Sequence, residues 1–202
     1  MPYLTTKGIR TYYEVAGEGP PMLMLHCNPF DHDVFLYQIA HFSTWSRVVA
    51  PDLRGYGDSS LPDPGLNHIN FSFRAMAQDQ VEVMAALGFD KFFAAGHDRG
   101  ARVAHRLAAD HPQAVRRLML LDIAPTLAMY SQTSEAFARA YWHWFALIQP
   151  GPLPEALIDS DPARYVRSVI GGRHAGLAPF SAEALAEYER CAALPGTGRS
   201  IC

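Results

Sequence analysis

Four short apolar runs, with helix-period stretches between them, limit this chain to few architectures. Met22-Leu23-Met24-Leu25 ends in His26, Arg47-Val48-Val49-Ala50 runs into Asp52, Lys91-Phe92-Phe93-Ala94-Ala95 into Gly96, and Leu118-Met119-Leu120-Leu121 into Asp122. Unbroken apolar runs of this length suit strands covered on both faces, as in a parallel sheet. Residues 73–87 carry apolar side chains at three- and four-residue spacing and stop at Gly88; residues 101–111 do the same and stop before Pro112. The alternation predicts an α/β fold around a mostly parallel sheet, with its chemistry at the carboxyl ends of the strands. Ahead of it, residues 3–5 and 11–15 alternate about Lys7-Gly8 and predict a β-hairpin.

After Pro125 the pattern changes. Residues 134–148, 162–170 and 181–193 read as helices joined by Pro- and Gly-rich links (QPGPLPE and GGRHAGLAPF), with no convincing strand. The expected organisation is therefore a core over residues 1–125 and a helical cap over 126–202, with 195–202 as a terminal loop.

Composition narrows the class of protein. Of the 202 residues 49% are hydrophobic, enough to bury a core, and 17 Lys and Arg against 20 Asp and Glu leave a net charge of −3. No basic stripe calls for nucleic acid. The N-terminal stretch has no apolar core of a signal segment, and no run of 18 apolar residues occurs, so no membrane partner is expected and a cytoplasmic location is. Cys27, Cys191 and Cys202 are too few and scattered for a disulfide framework or a zinc site, and no metal or organic cofactor is expected.

Gly96-His97-Asp98-Arg99-Gly100 stands between a strand and a helix. Two glycines allow a tight turn that lifts the central side chain above the sheet, over a helix N-terminus that favours negative charge. A carboxylate is already ionised at neutral pH and can displace a leaving group from saturated carbon. A Gly-rich turn with an N-capping Asp is the plainer alternative. Arg99 and Arg102 lie three apart on the same helix and share a face. Two guanidinium groups there suit an anionic substrate held bidentately; neutralising Asp98 or pairing with Asp122 is the other option.

The pentapeptide resembles the nucleophile elbow of the α/β-hydrolases, with Asp where esterases have Ser. His26-Cys27-Asn28-Pro29 and Asp52-Leu53-Arg54-Gly55-Tyr56-Gly57-Asp58-Ser59 are similar to that family's H-G-x-P and D-x-R-G-x-G-x-S segments. The first implies an oxyanion hole and places Asn28 at the substrate; the second is mainly a structural turn. Cys27 replaces the usual Gly, where a side chain threatens the backbone N–H of the hole. Residues 96–108, 121–126, 143–155 and 187–188 look like the fluoroacetate and haloacetate dehalogenases. That resemblance implies Asp98 as nucleophile, Arg99 and Arg102 as the grip on a substrate carboxylate, Asp122 as the acid that orients a His, and His143, Trp144 and Tyr188 as halide donors. Phe137, Tyr141, Trp144 and Phe145 also lie at helical spacing, which packing alone would explain.

The implied reaction turns a 2-haloacid into a 2-hydroxy acid through an Asp98 ester, which a His general base must help water to hydrolyse. In the family that His follows the cap. His26, His97, His111 and His174 lack its context, so the C-terminal core strands and the catalytic His are expected to be missing. The exposed sheet edge this leaves makes a homodimer one expectation. The alternatives are an epoxide hydrolase or haloalkane dehalogenase on the same scaffold, against which Arg99 speaks, and a non-catalytic truncated relative.

Overall fold

In a computed structural model of the chain, residues 2–172 and 175–202 are described. The apolar runs do form the strands of one sheet. Its strands are β1 (Tyr3–Thr6), β2 (Ile9–Ala16), β3 (Pro21–Leu25), β4 (Arg47–Pro51), β5 (Phe92–His97) and β6 (Val115–Leu121), in the order β1-β2-β4-β3-β5-β6. The N-terminal hairpin pairs antiparallel and β2 joins β4 the same way; β4, β3, β5 and β6 are mutually parallel. This is the α/β-hydrolase arrangement, a mixed but mostly parallel sheet.

Helices cover both faces where strands are buried. Met24, Val48 and Ala50 meet Phe35, Ile39 and Phe42 on one side, where α1 (Leu36–Phe42) lies. Alternation turns Leu23 and Leu25 to the other side, and both are fully buried. Against the sheet lie α2 (Phe73–Ala86), capped by Ser72, and α3 (Arg99–Asp110), which packs on β3, β5 and β6. The central strands thus see apolar contacts on both faces, as the continuous runs require.

β6 is the last strand of the sheet order. Its sequence reads as a covered strand, yet Leu118, Met119, Leu120 and Leu121 are 36–56% exposed. It pairs with β5 on one side only.

The chain divides into two compact units, the first ending at Ile123 and the second spanning Ala124–Cys202. Among its described residues the second unit is helical: α4 (Thr126–Ser131), α5 (Glu135–Ala140), α6 (Trp142–Leu147), α7 (Leu153–Asp159), α8 (Pro162–Gly171), α9 (Ala182–Ala192) and α10 (Thr197–Ile201). Side chains of Ser134, Asp161 and Ser181 cap α5, α8 and α9. Three local expectations change here. The single helix over 134–148 is two, because Tyr141 leaves helical geometry (φ −117°, ψ 35°) while its ring stacks on Phe137. The link QPGPLPE runs into α7, since Pro154 falls in the first turn, where proline is tolerated. The terminal loop is instead α10: Thr197, Ser200 and Ile201 are buried, and the helix packs against α7 and α9. No helix among the described residues is long and apolar enough to cross a membrane.

Candidate active site

The elbow is built from two glycines and one strained residue. A Cβ on Gly96 would lie 2.4 Å from the Gly100 carbonyl oxygen, and one on Gly100 only 2.1 Å from that of Leu25. No side chain fits at either place, so strand and helix can approach this closely only with glycine. Between them Asp98 takes φ 50°, ψ −113°, a conformation that costs a non-glycine residue energy and is typical of functional turns. The surroundings fix it: its N–H donates to the Leu121 carbonyl (3.2 Å) and its carbonyl accepts from the Arg102 N–H (3.1 Å).

The other strand ends complete the arrangement. From the end of β3, the Asn28 N–H donates to Asp98 Oδ1 at 3.3 Å. Cys27 does not obstruct it: its side chain is buried, and its carbonyl is engaged by Phe30 N–H and His26 Nδ1. Burial, then the charge of Asp98, pushes the Cys27 thiol well above its ordinary value, so it stays protonated. Tyr56, from the turn after β4, donates its hydroxyl to Asn28 Oδ1 at 3.0 Å. The Arg99 guanidinium stands 5.7 Å over the Tyr56 ring, and that of Arg102 stands 5.9 Å over Phe73. The site thus holds the Asp98 carboxylate, a backbone donor against it and, on the helix that follows, two guanidinium groups of the kind that bind anions.

A buried polar network holds these loops. Leu53 N–H donates to His26 Nε2 (2.9 Å), which leaves the proton on Nδ1, facing the Cys27 carbonyl. Burial drives the His26 pKa down, and the ring is neutral. Asp52 accepts from the His32 backbone N–H (2.9 Å), His32 Nδ1 (2.8 Å) and the Asp58 N–H (2.9 Å). Burial alone would lower the His32 pKa, but the hydrogen bond and charge of Asp52 outweigh it and raise the value to about 9. Asp52 is the converse: burial opposes its ionisation, yet the hydrogen bond and charge of His32 hold it below the usual carboxylate value. Asp31 is pushed up to about 6, by burial first and then by Asp52. Arg54 closes the turn, with Nε 2.6 Å from Asp79 Oδ2 and Nη1 2.8 Å from the Asn70 carbonyl.

The fold of the first unit thus brings Asp98, Asn28, Arg99 and Arg102 to one end of the sheet. Asp122 directly follows β6, with φ 46° and an 88% exposed side chain whose Oδ2 lies 4.0 Å from His97 Nε2. The remaining expected site residues belong to the second unit. His143 is buried on α6, with its ring 6.1 Å from that of Trp144; Trp144 also packs on Tyr141 (4.6 Å) and Phe137 (5.9 Å). Tyr188 is buried on α9, edge-on to Phe180. His174 lies outside the described residues. Sequence reasoning passed over Tyr56, Phe73 and His32. Tyr56 sits in a segment whose glycines and charges already explained it as a turn.

A family model described as the alpha/beta hydrolase fold matches residues 20–169. The chain belongs to the alpha/beta hydrolases. Within that family it is 45% identical over 177 residues to a fluoroacetate dehalogenase from Burkholderia sp, covering 87% of this chain. It is 36% identical over 201 residues to a soluble epoxide hydrolase from Corynebacterium sp. (strain C12), covering 96% of this chain and 68% of that protein. A crystal structure called an alpha/beta hydrolase, from Nostoc sp PCC 7120, superposes with a TM-score of 0.95 at 49% identity, over all of this chain and 69% of that one. This hydrolase chain is shorter than these relatives; it spans 58% of the length of the dehalogenase.

Proposed function

We propose that this alpha/beta hydrolase chain carries the displacement half of a haloacetate dehalogenase. Asp98 attacks the carbon bearing the halogen of a 2-haloacid such as fluoroacetate, the carbon–halogen bond breaks, and halide departs with its electron pair. The product is an Asp98 ester of a 2-hydroxy acid, which water releases. Arg99 and Arg102 hold the substrate carboxylate, and the Asn28 N–H faces Asp98 Oδ1, where negative charge gathers as the ester is hydrolysed. Asp122 would orient the base that activates that water. Imidazole, indole and phenol donors suit a small, concentrated halide charge, and the resemblance assigns them to His143, Trp144 and Tyr188.

The observation that carries this reading is the pair of guanidinium groups beside the nucleophile, each standing over an aromatic ring. A neutral epoxide carries no carboxylate for such a pair to hold. Halide release from fluoroacetate and chloroacetate, set beside ring opening of styrene oxide, tests it within the first turnover. Arg99→Leu and Arg102→Leu should each weaken haloacid use about tenfold or more, the worth of a charge-assisted hydrogen bond. Opening of styrene oxide with no halide release would establish the epoxide hydrolase reading instead.

A further inference from the structure

Tyr56 touches both halves of the proposed site. Its hydroxyl donates to Asn28 Oδ1 at 3.0 Å, and the backbone N–H of that same Asn28 reaches Asp98 Oδ1. Its ring carries the Arg99 guanidinium 5.7 Å from the centroid. The ring itself cannot drift: Tyr56 is 4% exposed and meets the edge of the buried His26 ring at 5.4 Å. His26 in turn ties the end of β3 to the turn after β4, through Cys27 and Leu53. A rigid aromatic body thus spans the space between the backbone donor at the nucleophile and the first carboxylate anchor.

We propose that Tyr56 is a positioning residue for the displacement: its ring face sets where Arg99 holds the substrate carboxylate, and its hydroxyl sets where the Asn28 loop meets Asp98. The inference rests on the haloacid reading. Displacement needs the reacting carbon in line with the Asp98 oxygen, and a small misplacement of either anchor slows it steeply. The two functions separate chemically. Tyr56→Phe removes the hydroxyl and keeps the shelf under Arg99; Tyr56→Leu removes both.

First-turnover halide release against chloroacetate concentration tests this, together with the Arg99 Nε–Hε and Asn28 amide resonances. Y56F should slow the maximal rate about three- to tenfold, the worth of one neutral hydrogen bond, without moving half-saturation. Its Asn28 amide should shift while Arg99 keeps its ring-current displacement. Y56L should in addition raise the half-saturating concentration about three- to tenfold, the worth of a cation–π contact, and return Arg99 to the position of an exposed arginine. A merely structural role would lower the rate with the folded fraction and leave half-saturation alone. Wild-type release with unchanged half-saturation and resonances in Y56L overturns the Tyr56 inference by itself. Should Y56L not fold, Y56F decides: an unmoved Asn28 amide and an unchanged rate overturn the inference. A wild-type chain that releases no halide contradicts the haloacid reading and removes the purpose given to Tyr56, whatever the resonances do.

Discussion

His32 and Asp52 show how a buried charge pair fastens the loops beside the elbow. Asp52 is 1% exposed and bonded to His32 through both backbone and ring. His32 holds its proton more tightly in the fold than in the open chain, so protonation favours the folded state. That contribution is whole below the open-chain value of 6.5 and is lost as pH rises through about 9. The loss should reach about 3 kcal/mol, since each unit of pKa shift is worth about 1.4 kcal/mol. Thermal melts between pH 6 and 10 should show the decline, and Asp52→Asn should flatten it; a wild-type melt flat across that range contradicts the pairing. None of this was legible beforehand. Asp52 stood out as part of a turn motif, but its partner is set by how the segment after β3 folds back over the end of β4. The elbow was legible because its rule is local: two glycines flanking an Asp between a strand and a helix.

Among the elements, β6 best shows what a sequence pattern can and cannot say. Its apolar run makes a strand, as expected, but periodicity says nothing of what covers a strand, and four consecutive apolar side chains here are 36–56% exposed. A strand with an unpaired edge and apolar faces is a template for further pairing. The 202-residue chain should therefore self-associate as its concentration rises, and Met119→Lys, a charge of the kind natural edge strands carry, should reduce this. Sedimentation velocity over a concentration series measures both; a monomer at every concentration contradicts the expectation. The helical elements were legible in proportion to their length. α2 and α3 announce themselves by spacing, whereas α10 does not: five residues beginning with Thr-Gly carry no usable period, and packing against α7 and α9 holds them in place.

At the scale of the molecule, the sheet order explains why motifs far apart in sequence act together. Placing β3 between β4 and β5 brings three strand ends side by side: Asn28 from the first, Tyr56 from the turn after the second, Asp98 and Arg99 from the third. The motifs revealed each piece; the Tyr56 ring under Arg99 emerged only from that adjacency, and the Phe73 ring under Arg102 from the packing of α2 on α3. The same order sets the Asn28 N–H against the carboxylate of Asp98, the residue that opens α3. The most direct test is mass spectrometry of the Asp98-containing peptide after incubation with chloroacetate in ¹⁸O-labelled water. The account predicts either a carboxymethyl group esterified to Asp98, or, once the ester is hydrolysed, ¹⁸O in the Asp98 carboxylate, with neither in Asp98→Asn. Halide release with Asp98 unmodified and unlabelled, or carboxymethylation confined to the cysteines, would contradict it.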